Sequence, residues 1–100
     1  MIGYTPRAAR QVDELRQHYE ERERIEALRA LAAALAEAER QIESNPAAGL
    51  AAPRPYPELA SLGRAWIKAG RYWVAYSTTA PPVILGVFYD SANIPGRSRG

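Results

Sequence analysis

The chain reads as an α+β domain, because two apolar stripes at helical spacing fill its first half, three strand-like runs fill its last third, and a proline-rich connector separates them. The halves differ in charge as well. Residues 1–45 carry seven Arg against nine Asp and Glu, a net of −2, whereas residues 46–100 carry five Arg and Lys68 against Glu58 and Asp90, a net of +4. The positive excess lies with the strands, so that half suits nucleic acid or an acidic protein.

Residues 1–4 are too short to assign by pattern. Thr5 and Pro6 start a helix: the threonine caps exposed amides and proline fits the first helical position. Ala9, Val12, Leu15 and Tyr19 then recur every three or four residues, an apolar stripe about four turns long. A second stripe, Ile25, Leu28, Ala32, Leu35 and Ile42, is interrupted by Glu39 and lies in a string of strong helix formers that ends at Asn45-Pro46. No Gly or Pro separates the stripes. The phase change across the polar run 20–24 predicts a helical hairpin rather than one long helix. Residues 46–63 hold four of the eight prolines, which excludes a sustained helix or central strand and predicts an extended connector draped over the core. Strand patterns follow at 64–68, 71–77 and 83–88, and the short gaps between them predict an antiparallel meander. In the middle strand Tyr72, Val74 and Tyr76 share a core-like face, while Trp73, Ala75 and Ser77 share a mixed one with Arg71.

With 100 residues the chain holds one domain, expected over residues 1–97 with 98–100 as a mobile tail. It contains no cysteine and one histidine, so neither a disulfide framework nor a zinc site of the usual His/Cys kind is expected. No apolar run approaches the roughly 20 residues that span a bilayer, and the start MIGYTPRAAR lacks an apolar region; neither membrane insertion nor secretion is predicted, and a cytoplasmic location is expected. The phosphate-cradling GxxxxGK[ST] and the GxGxxG, HExxH and GxSxG patterns are missing, so no cofactor is expected.

The charged helical hairpin ending in NP, the proline-containing linker, the basic strand element RAWIKAGRYWVAY and the apolar strand run VILGVFYDSANIPGR resemble the ParE/RelE superfamily, the small toxins of bacterial type II toxin-antitoxin modules. The likeness runs from about Tyr4 to Arg97 and is most specific in GRYWVAYSTTAPPVILGVFY. It implies a short N-terminal strand before the hairpin, and a toxin neutralised in a hetero-oligomer by a cognate antitoxin. RelE-like members are ribosome-dependent endoribonucleases acting on mRNA; ParE-like members act on DNA gyrase. For RNA cleavage by 2′-hydroxyl attack, a proton acceptor, cations and an acid must converge on one phosphate. The candidates are Lys68, Arg71, Tyr89 and Arg97, with Arg64 in reserve. The strand half has no histidine and the chain a single lysine, and the hairpin is long, so the ParE-like reading is preferred and no catalytic residue is assigned. A non-toxic nucleic-acid-binding module is the further alternative.

On the gyrase reading Arg64, Arg71, Trp73 and Arg97 form the target-binding set, and Val12, Leu15, Tyr19, Leu28 and Leu35 the antitoxin-binding set, divided between the core and a groove beside the hairpin. Each has a plainer role. Arg71 pairs with a helix carboxylate such as Glu14 or Glu39, Trp73 covers the sheet against the connector, Tyr89 closes a core layer, and His18 is a surface side chain.

Overall fold

The Thr5 hydroxyl accepts from the Ala8 amide at 3.1 Å and Pro6 takes the first helical position, so α1 (Pro6–Glu21) begins where its cap residues place it. A computed structural model describes residues 2–91 and 94–97, the last two by backbone alone. Helix α2 (Ile25–Ser44) follows after a sharp corner. The corner is built by Glu23, whose φ of 53° is left-handed. Its amide donates to the Glu20 carbonyl at 3.0 Å, and the Arg24 amide donates to the Tyr19 carbonyl at 2.8 Å. This is a Schellman closure with glutamate where glycine is usual, at a cost of about 1 kcal/mol. The hairpin is therefore real although its break carries no glycine.

The strands β1 (Gly3–Tyr4), β2 (Arg64–Ala69), β3 (Tyr72–Ser77) and β4 (Val83–Tyr89) form one sheet in the order β1-β4-β3-β2. The last three make the antiparallel meander; β1 joins β4 in parallel, with Gly3 opposite Val83 and Tyr4 opposite Ile84. The β2–β3 turn is Gly70-Arg71, and Gly70 supplies the positive φ of 57° that so tight a hairpin needs. Arg71, expected to start the strand, thus lies in the turn, one residue before β3 begins at Tyr72.

The helices cover one sheet face. Val12 and Tyr19 of α1 and Leu31, Leu35 and Ile42 of α2 pack against Tyr72, Val74, Tyr76, Ile84 and Val87. Glu39, which interrupts the second stripe, accepts a hydrogen bond from the Tyr4 hydroxyl at 2.7 Å, so the carboxylate ties α2 to β1. Burial first, then this bond, holds the Tyr4 phenol well above its ordinary pKa.

The opposite sheet face is buried too, which the alternation in β3 did not foretell. Trp66, Trp73, Ala75 and Phe88 form a second cluster with Ile94, the first residue of the short helix α3 (Ile94–Arg97), against Tyr56 and Leu59 of the connector. The connector is extended as expected but contains two 3-10 turns, Pro46–Ala48 and Pro57–Leu59, and Leu50 forms an antiparallel bridge to Trp66. Both Leu50–Trp66 backbone hydrogen bonds are 2.7 Å, which pins the connector to the outer edge of β2.

Candidate functional site

Where the α1–α2 corner meets the β2–β3 turn and the end of β4, the surface opens into a half-open cavity of about 970 Å³. Its floor is phenolic. The Tyr19 and Tyr72 hydroxyls are 2.6 Å apart and buried, and the Tyr72 and Tyr89 rings meet edge to face with centroids 5.6 Å apart. Burial, and next the hydrogen bond with Tyr19, raises the Tyr72 phenol well above its ordinary pKa, so it stays protonated.

The rim is polar: Glu14 and His18 come from α1, Arg24 and Glu26 from the corner and α2, and Arg71 from the turn. Arg71 Nη1 donates to the Tyr89 hydroxyl at 3.5 Å, and this bond, ahead of the Tyr89 and Asp90 charges, raises the pKa of its exposed guanidinium. Its expected partners are otherwise disposed, since Glu39 is bonded to Tyr4 and no ion pair joins Arg71 to Glu14 among the described residues. Gln11 completes the wall, its Oε1 accepting from the Val87 amide at 2.8 Å. That bond satisfies a β4 amide beyond the reach of the two-residue β1.

The other candidate residues disperse. Lys68 stands opposite Trp73 in the β2–β3 register, and Tyr89 stands opposite Tyr72. Consecutive strand residues face opposite ways, so Lys68 and Tyr89 lie on opposite sheet faces. Lys68 is already engaged, with Nζ 3.4 Å from Asp90 Oδ2 and 5.9 Å from the Trp73 ring centroid. Arg64 donates to the Leu59 carbonyl and lies 5.5 Å over Trp66, so its guanidinium clamps the connector. Trp73 is only 3% exposed. Arg97 ends α3, and its side chain lies outside the described residues, as does the 98–100 tail.

The antitoxin-binding set also divides. Val12, Tyr19 and Leu35 belong to the helix-side core, whereas Leu15 and Leu28 are partly buried, with Leu15 lining the cavity. His18 is exposed, edge-on to Tyr19 with ring centroids 5.6 Å apart. The site residues that sequence reasoning passed over are Gln11, Arg24 and Tyr72. Arg24 lay in a polar run without periodicity, and Tyr72 read as pure core. No local pattern marked either.

Among the described residues no group of three or more His, Asp and Glu is placed to hold a metal ion, and no helix is long and apolar enough to cross a membrane. No protein-family model matches the sequence, and no curated protein matches it.

Proposed function

We propose that this chain is the toxin component of a type II toxin-antitoxin module, held inactive by a cognate antitoxin in a hetero-oligomer and acting in the cytoplasm on DNA gyrase. Two things support the reading. The layout of strand, helical hairpin, connector and meander is the one the ParE/RelE resemblance implies. The observation that favours gyrase over RNA is the separation of Lys68 from Tyr89 on opposite sheet faces, each with its own partner. RNA cleavage by 2′-hydroxyl attack needs its cations and its proton donor on one phosphate. A gyrase inhibitor has no such requirement.

One contact favours the ribonuclease alternative: Arg71 and Tyr89 do meet, at 3.5 Å. Induction of the lone chain separates the readings. Growth arrest with inhibited supercoiling by purified gyrase, intact messages and retained potency in Tyr89→Phe fits the proposal. Messages cut on ribosomes, with loss of cutting in Tyr89→Phe, fits the alternative. Normal growth at full expression removes both and leaves the non-toxic nucleic-acid-binding module.

A further inference from the structure

We infer that the cavity at the helical corner is a binding site for an amphipathic monocarboxylate, a small molecule with an apolar or aromatic body and one carboxylate head. The cavity shares Leu15, Tyr19 and Arg71 with the surfaces of the toxin reading, but the inference does not rest on that reading. It begins with a count of protons. Tyr19 and Tyr72 bring two hydroxyl protons to a pair joined by one hydrogen bond of 2.6 Å, so one proton is used inside the pair. No acceptor among the described residues takes the other. Both side chains are more than nine-tenths buried, at 7% and 3% exposure, and both line the cavity. A buried hydroxyl donor without an acceptor is a site for an oxygen ligand.

The charges around it select the ligand's sign. Arg24 and Arg71 flank the phenols from the two sides of the cavity, one 6.0 Å over the Tyr19 ring and the other on the Tyr89 hydroxyl. Neither makes an ion pair with a carboxylate among the described residues. An anionic oxygen seated on the free phenol proton shares the cavity with both guanidiniums, the strongest donors on its rim. Glu14 and Glu26 on the same rim offset the two arginines, so the rim has no excess positive charge to hold a dianion, and a single carboxylate is held through hydrogen bonds to the phenol and the guanidiniums rather than by net charge. That favours carboxylate over phosphate. Leu15, Ala27, Ala30 and Val87 supply apolar wall for the ligand's body, and a volume of about 970 Å³ accommodates a small organic molecule.

The test uses the purified full chain titrated with 3-phenylpropionate, followed by NMR shifts. The neutral amide 3-phenylpropionamide and inorganic phosphate serve as comparison probes. Saturable binding of the carboxylate, with a Kd on the order of 1 mM as expected for so small a probe, is the predicted result. The amide binds at least about tenfold more weakly, because it lacks the charge that the arginines recognise. Tyr72→Phe removes a hydroxyl and weakens the carboxylate by about tenfold. Arg71→Gln does the same from an exposed position, so it carries the test if Tyr72→Phe folds poorly. Equal binding of acid and amide, displacement by phosphate at equal concentration, or unchanged affinity in Arg71→Gln each overturns the assignment.

Discussion

Gly49 sits where the connector crosses the sheet, and replacing it with alanine tests whether that crossing is a packed joint. Its φ of −69° and ψ of 161° suit any residue, so Gly49→Ala adds no backbone strain. In the folded state the effect is steric, set against a gain of about 0.4–1 kcal/mol from the stiffer unfolded chain. A Cβ there would overlap the Tyr76 hydroxyl and lie 2.9 Å from the Ala65 Cβ and 3.0 Å from Tyr76 Cε1. Tyr76 is 1% exposed and donates to the Pro46 carbonyl at 2.7 Å, so neither the ring nor its bond can yield freely. Overpacking of this kind costs about 1–3 kcal/mol, and breaking the Tyr76 bond adds about 1 kcal/mol. Gly49→Ala should therefore destabilise the chain by about 1–3 kcal/mol net, read from urea unfolding midpoints at unchanged slope. Tyr76→Phe alone should cost about 1 kcal/mol, and the double variant should be less unstable than the sum by about 1 kcal/mol, because the phenol oxygen is no longer there to be struck. A Gly49→Ala protein within about 0.5 kcal/mol of the parent, or strict additivity, refutes the packed joint.

Three further outcomes follow from the same geometry. Glu23→Gly relieves the left-handed corner and should raise stability by about 1 kcal/mol, a gain of about 4–8 °C in melting temperature for a chain of this size. Ile94→Ala removes a side chain with 0% exposure from the second cluster and should cost about 2–4 kcal/mol in chemical denaturation, whereas a surface-like loss under about 0.5 kcal/mol would detach α3 from the fold. The third concerns alkali. Burial raises the Tyr72 phenol above the ordinary value of 10.0, so the unfolded chain releases that proton at lower pH than the folded one. Stability is fully present below pH 10 and falls as pH rises further, by at most about 1.4 kcal/mol per pH unit for this group. Unfolding free energies measured through this range should fall less steeply in Tyr72→Phe, and an unchanged slope would contradict the assignment.

The parts of the fold legible in the sequence are those with local causes. Thr5-Pro6 fixes the start of α1, the stripes through Val12 and Leu35 face the core, and Gly70 marks the tight turn. The parts that were not legible depend on contacts between distant residues. Nothing near Gly3–Tyr4 announces a parallel partner some eighty residues on. The second core face is closed by Tyr56, Leu59 and Ile94, which lie in segments without period, so this face of β3 read as mixed; Trp73 takes its plainer role, covering the sheet against the connector, and is not open to a target. The corner breaks α1 from α2 through a left-handed glutamate, for which sequence offers no signal as clear as glycine. The cavity was hidden for the same reason: Tyr19, Arg24, Arg71 and Tyr72 come from a helix end, a polar run, a turn and a strand. Charge asymmetry pointed to the strand half as the interacting one, yet Arg64 and Lys68 are held by Leu59 and Asp90 within the fold.

The separation of Lys68 and Tyr89 on opposite faces of the sheet is the claim on which the functional reading turns. Purified chain added to a gyrase supercoiling reaction and, in parallel, to a translating ribosome extract tests that functional reading directly. The account predicts that supercoiling is inhibited, that messages stay whole, and that Tyr89→Phe inhibits gyrase as the parent does. Cleaved messages with undisturbed supercoiling, abolished in Tyr89→Phe, would contradict it.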